Sequence, residues 1–213
     1  MKLKYVTGLT GLLCAAVLLG GCAKEAELES NGIYIRKDGS VSSAVYEPFD
    51  ADVYSKEELK AFVEDAVIAY NQSEGADAAA YMDKKTGSLL AAIRSLETAD
   101  GNAVLKMEYA TCKDYLQFND ADESIIQLAS GTVGGAEQAG IDLKQFTLVN
   151  RDGSEQITAD EAEDDLYVVF AEGNTQILVE GTIEYVSSDV ELVDRHLAEI
   201  ASEEGRLSCI VFK

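Results

Sequence analysis

Asn31-Gly32-Ile33-Tyr34-Ile35-Arg36-Lys37-Asp38-Gly39-Ser40-Val41-Ser42-Ser43-Ala44-Val45-Tyr46 is the stretch from which the fold is read. Ile33 and Ile35 alternate with Tyr34 and Arg36, the period of two that sends apolar side chains to one face of a strand. Asp38-Gly39 offers the positive φ angles of a tight turn, and Val41, Ser43 and Val45 resume the alternation. The segment predicts a β-hairpin. Pro48, which cannot donate to a ladder, ends it.

Reading outward, Ser55-Lys56-Glu57-Glu58 is a capping box, in which Ser55 and Glu58 each satisfy a free backbone amide of the other. Leu59, Phe62, Val63, Ala66, Val67 and Tyr70 then fall on one helix face, which predicts a helix packed on a sheet and closed by Gly75. A second hairpin centres on Asp100-Gly101. Leu89, Ala91 and Ile93 precede it, and Ala103, Leu105, Met107 and Tyr109 follow. Thr111 to Asp114 is another capping box, opening a short helix through Tyr115 and Phe118.

Beyond it, Ile125, Ile126 and Leu128 suggest a strand, and Ser130-Gly131-Thr132-Val133-Gly134-Gly135 a flexible loop. Further strands are expected at Phe146–Val149, Leu166–Ala171, Thr175–Val186 and Leu207–Phe212, with Asp152-Gly153 as a third turn. Asp194–Glu204 reads as a short helix with Asp194 as N-cap and Gly205 as its stop. The expected fold class is α+β: a largely antiparallel, hairpin-linked sheet packed by one long and two or three short helices.

The chain has 213 residues, 47% hydrophobic, with a single proline, so its bulk reads as globular rather than disordered. Its formal charge is −22. Without Lys2 and Lys4, which fall in the first 21 residues, 15 basic side chains face 39 acidic ones, a charge of −24. Such a surface repels phosphate backbones, which argues against nucleic acid as a partner. It also repels anionic headgroups, so the body is expected to stand off a bilayer rather than lie on it.

The N-terminus has three parts in order. Lys2 and Lys4 form a short positive region, an apolar stretch runs from Tyr5 to Leu19, and Leu19-Gly20-Gly21-Cys22 follows. The apolar stretch is shorter than the roughly 20 residues needed to span a bilayer. Leu19-Gly20-Gly21-Cys22 resembles the lipobox of bacterial lipoproteins, an aliphatic residue and two small ones before a cysteine. The resemblance implies that Cys22 takes a diacylglyceryl group and becomes the new N-terminus after cleavage. Cys14 follows the bulky Leu13 and fits the pattern less well. The expected organisation is a signal peptide over 1–21, a lipidated tether over 22–30 and a single acidic α+β domain over 31–213. The eight residues Ala23 to Ser30 reach no more than roughly 30 Å, holding the domain close to the membrane surface.

The remainder is similar to uncharacterised small lipoproteins of anaerobic Gram-positive bacteria. The similarity rests on Asn31 to Ile35, Lys37 to Ser40, Glu57 to Val63 and Ala69-Tyr70-Asn71, and it implies no known activity.

Sites for chemistry are scarce. His196 is the single histidine and lies beside Arg195; with Glu199 it makes at most half of a zinc set. The glycine run 131–135 lacks the Gly-Lys-Ser/Thr of a phosphate loop. Glu155, Asp160, Glu161, Glu163, Asp164 and Asp165 supply the oxygens calcium needs, but not the alternate spacing before Gly153. Thr158 and Glu161 read instead as a capping box opening a short acidic helix. Cys112 and Cys209 are expected to be free buried thiols, with a disulfide between them as the alternative. No metal, cofactor or catalytic residue is assigned. The expectation is a non-enzymatic binding or interaction module, held to the extracytoplasmic face of the cell membrane by lipid on Cys22, with an envelope protein or polymer as partner. The alternative is an envelope hydrolase using a carboxylate pair, with tyrosines such as Tyr34 and Tyr46 in place of absent tryptophan.

Overall fold

The computed structural model describes residues 28–82, 89–119 and 124–213. β1 (Gly32–Ile35) and β2 (Val41–Pro48) form the first hairpin, and α1 (Lys56–Ser73) follows. β3 (Ala91–Ala99) and β4 (Asn102–Tyr109) form the second, turning through Asp100 and Gly101 at φ 52° and 76°. Then come α2 (Cys112–Phe118), β5 (Ile125–Thr132), α3 (Val133–Gln138), β6 (Thr147–Asn150) and β7 (Gln156–Thr158). The last part is strand throughout: β8 (Tyr167–Val179), β9 (Ile183–Ser187), β10 (Val190–Leu192), β11 (Leu197–Ala201) and β12 (Ser208–Phe212).

The expected α+β balance is overturned. Among the described residues, 12 strands join one sheet, which three α-helices only partly cover. The sheet is mixed, because β1 runs parallel to β8 while the other pairings are antiparallel. The helix expected at Asp194–Glu204 is β11 and its flanking turns. Asp194 does cap backbone amides, accepting from His196 N–H and Leu197 N–H, but it closes a hairpin turn between β10 and β11. Ala198 and Ile200 are buried while Glu199 and Ala201 are exposed, a period of two. The acidic helix expected at Thr158 is a single 3₁₀ turn, Ala159–Glu161, with Glu161 accepting from Thr158 N–H. The strand expected over Thr175–Val186 is broken between Val179 and Ile183.

β8 is the spine. Its first half pairs with β5 and β12, its second half with β1 and β11. Gly173 stands where the partners change, at φ +145°. A Cβ there would lie 2.1 Å from the Ser124 carbonyl oxygen. The bend keeps both sides bonded: Asn174 N–H donates to Ser124 O at 2.7 Å, and Ser202 N–H to Gly173 O at 2.9 Å. Opposite, β5 bulges between Ile125 and Gln127. Glu172, 2% exposed, accepts from Gln127 Nε2 at 2.7 Å and from Gly205 N–H at 2.6 Å. A strand that changes partners at a bulge turns a sheet corner.

The corner folds the sheet around one core. Ile33, Ile35, Val41 and Met107 meet Val169, Ile210 and Phe212 in it, beneath α1 and α2. The other face of the β8–β12 region buries Val168, Phe170 and Val211 with Val133, Leu143, Phe146 and Leu148. The glycine run, expected to be a loop, begins α3. Thr132 Oγ1 accepts from Gly135 N–H, and a Cβ on Gly134 would press on Asp164 at 3.1 Å. The glycines allow close approach there.

Ser55 caps α1, accepting from Glu58 N–H, but the return bond of the expected capping box is not made; its hydroxyl donates to Glu57 instead. The buried stripe is narrower than its sequence suggests: Val63, Val67 and Asn71 are buried, whereas Phe62 is 73% exposed. Asn71, fully buried, donates to Ala79 O and Ala91 O and accepts from Leu90 N–H and Ala91 N–H. It fastens α1 to the start of β3 with every side-chain hydrogen-bonding group in use.

Gly173→Ala is expected to destabilise the protein by roughly 3 kcal/mol or more, since it combines a positive φ with a backbone collision. Gly205→Ala, at φ +78° with nothing within 4 Å of the new Cβ, costs about 1 kcal/mol. Urea unfolding of both variants checks this, and equal losses would remove the corner's special status.

Candidate functional site

The shortness of β1 opens a gap in the sheet. β1 begins at Gly32, opposite Ala44, whereas β2 continues to Pro48. Similarly, β8 meets β1 only from Ile177 onward. Below Gly32, Val45–Glu47 on one side and Asn174–Gln176 on the other are therefore not bridged by a strand. They face each other across an open cleft of about 670 Å³. Glu29 to Gly32 enter along it, Tyr115 and Asn119 of the α2 end line it from within, and Ser124 and Glu199 complete the wall.

Most of these walls are held by side chains that also serve the fold. Asn31 Oδ1 accepts from Tyr46 N–H at 2.6 Å, standing in for the strand that β2 lacks there. Gln176 Oε1 accepts from Ser30 Oγ–H at 2.7 Å. Asn119 Nδ2 donates both to Tyr109 Oη at 3.1 Å and to the Tyr115 carbonyl at 2.8 Å. Tyr46 Oη donates to Leu28 O at 2.9 Å, pinning the incoming chain where Leu28 packs with Tyr34, Ala44 and Leu178. Among the described lining residues the only charges are the carboxylates of Glu29, Glu47 and Glu199, all exposed.

Residues singled out in the sequence mostly lie elsewhere. Cys22 falls outside the described residues. Tyr46 is on the cleft, whereas Tyr34 is buried in the small outer cluster, under the Arg36 guanidinium at 5.0 Å. His196 sits in the β10–β11 turn, its Nδ1 against Gly181 O and its Nε2 accepting from Arg195 Nε–H. Both ring nitrogens are taken up by these contacts. Within the acidic stretch, Glu155 accepts from Tyr185 Oη, Asp160 from Thr158 Oγ1, and Glu161 from Thr158 N–H. Among the described residues no three His, Cys, Asp or Glu side chains converge as a metal site.

Cys112 and Cys209 are both free and buried, on opposite faces of the sheet. Burial raises both thiols above their usual pKa, although the Ser130 hydroxyl beside Cys112 pulls it partly back. They are poor nucleophiles. Neither thiol is expected to react with iodoacetamide in the native protein, and both to react once it is unfolded without reductant. Mass spectrometry of the two peptides reads this directly; a disulfide-linked pair would contradict the fold.

A second, smaller cavity of about 320 Å³ lies beside Asp189 and Arg206. Burial pushes the Asp189 carboxyl up, but the bond from Ser208 Oγ–H at 2.6 Å and the Arg206 charge at 3.8 Å outweigh it and hold the group below its ordinary value. A carboxyl lowered by folding contributes stability above about pH 4 that is lost as pH falls through its folded value. Asp189→Asn is therefore expected to flatten the acid limb of the urea-stability profile; an unchanged limb would refute the role.

The chain matches no family model, no curated protein and no solved structure. Among the described residues no helix is long and apolar enough to cross a membrane.

Proposed function

We propose that this chain is a bacterial lipoprotein, lipidated on Cys22, whose sheet domain is a non-enzymatic binding module at the extracytoplasmic face of the cell membrane. The carrying observation is Leu19-Gly20-Gly21-Cys22, placed directly after a basic and apolar leader. The position of the cleft supports it. Glu29 and Ser30, the end of the expected tether, line the cleft, so a ligand held there would lie within reach of a chain of eight residues, roughly 30 Å, from the lipidated residue. Two acyl chains at about 0.8 kcal/mol per buried CH₂ make a stable anchor.

Binding is favoured over carboxylate-pair hydrolysis by the state of the three cleft glutamates. A general acid of that mechanism is a carboxyl kept protonated by burial, and all three are exposed. An envelope polymer or protein remains the natural partner for a domain held so near the membrane.

Cys22→Ser is expected to abolish incorporation of labelled palmitate and to release the protein from the membrane fraction. Undiminished labelling in that variant would refute the anchor.

A further inference from the structure

We infer that the cleft below β1 is a binding site for an uncharged, hydroxyl-rich ligand, a saccharide chain. The inference deepens the binding-module reading and depends on it only for where the ligand is met.

The cleft's amides are locked at one end and available at the other. Asn31 spends Oδ1 on Tyr46 N–H, and Gln176 spends Oε1 on Ser30, which fixes each side chain and leaves its NH₂ group as a donor. Asn119 does the reverse: both bonds from Nδ2 are made internally, leaving Oδ1 as an acceptor. Among the described residues Asn31 Nδ2 and Gln176 Nε2 have no hydrogen-bond partner. A site whose donors and acceptors are already oriented loses little rotamer freedom when it binds.

The ligand class follows from what satisfies this set at once. A hydroxyl donates and accepts, so neighbouring hydroxyls of a sugar can meet the amide donors, the Asn119 acceptor and the glutamates together. An ammonium group only donates, and would leave both amide NH₂ groups unanswered. A phosphate or carboxylate would meet Glu29, Glu47 and Glu199 with no cation among the described lining residues to offset them. An added peptide strand is disfavoured too. Two of the backbone amides it would pair with, Tyr46 N–H and Asn174 N–H, are already bonded to Asn31 Oδ1 and Ser124 O.

The test is titration calorimetry on the full chain in a detergent without a sugar headgroup. The probes are a tetramer of β-1,4-linked N-acetylglucosamine, a tetramer of α-1,4-linked glucose, tetragalacturonate and tetralysine. At least one uncharged oligomer is expected to bind saturably and tetragalacturonate not to bind. Asn31→Asp and Gln176→Glu keep the internally bonded oxygen and the shape but remove the donor, so each is expected to weaken that binding about tenfold. Circular dichroism and thermal unfolding check that each variant is folded. Should one fail to fold, the other decides, since they lie on different elements. Absence of saturable heat from both uncharged oligomers up to about 10 mM overturns the inference. So does binding of tetralysine alone, or affinity unchanged in the folded variants. Palmitate labelling is scored separately: a labelled chain that binds no sugar keeps its anchor and loses this ligand, and the converse result does the opposite.

Discussion

The structure depends on one backbone constraint, the close passage of Gly173 beneath the Ser124 carbonyl. At φ +145°, with a prospective Cβ 2.1 Å from that oxygen, the position admits no side chain. What the glycine provides is a corner in a 13-residue strand. Each half of β8 takes its own pair of partners, and because the two halves point differently, those partners close on each other. Ile33 and Val41 thereby reach Ile210 and Phe212 within one core. A straight β8 would leave a flat, two-faced sheet with too little helix to cover it. Glu172 belongs to the same constraint. Its buried carboxylate holds the β5 bulge through Gln127 and the β11–β12 connection through Gly205, so the two chain segments that flank the corner are tied to a single side chain. The isolated cost of burying that charge is offset only while both donors stay in place.

The corner also explains why the cleft exists. Strands that meet along β8 start and stop where the bend lets them, and β1 enters late, at Gly32. The resulting gap is lined by Asn31, whose side chain replaces a ladder bond that β2 lacks, and by Gln176, whose side chain accepts from the Ser30 hydroxyl. Polar groups recruited to finish a sheet are rigid by necessity, since each repairs an otherwise unpaired group. Rigidity acquired for folding is available for recognition.

How far the sequence revealed this varies with the range of the interactions. The two hairpins, the Ser55 and Thr111 N-caps, the Thr158–Glu161 capping box and the three Asp-Gly turns were legible because they are decided within about four residues; at Ser55 and Thr111 the return bond of the expected capping box does not form. The misreading of Asp194–Glu204 has a clear source. Asp194 caps amides in a turn as it would in a helix, and Leu197-Ala198-Glu199-Ile200-Ala201 has helix-forming composition, yet pairing with β8 makes the period two. Phe62 was counted in the apolar stripe of α1, but the face that meets the core is Val63, Val67 and Asn71 with Leu59, Ile68 and Tyr70 at its margins, and Phe62 falls outside it. Gly134, Gly173 and Asn71 act on partners far along the chain, and nothing local distinguishes them from loop glycines or a surface asparagine. The cleft was illegible for the same reason. Its existence depends on where β1 starts relative to β2 and β8, a matter of register that a single sequence does not print.

The charge of the chain bears on the cleft less than its size suggests. At physiological salt a charge is screened over about 8 Å, so distant carboxylates do little more than keep the molecule soluble and its anionic neighbours away. Selection at the cleft falls to the three glutamates on its rim and to the neutral amides within it. Several of the described cations are committed elsewhere: Arg36 and Arg94 both bond Glu108 on the outer face of the sheet, and Lys213 pairs with Glu184. If the cleft holds the neutral ligand proposed above, the acidic body would set which molecules approach, by sign, and the amides beside the missing strand would set which of them is held. Because amides do not titrate and neutral hydrogen bonds are little affected by salt, the second step is insensitive to the ionic conditions that govern the first.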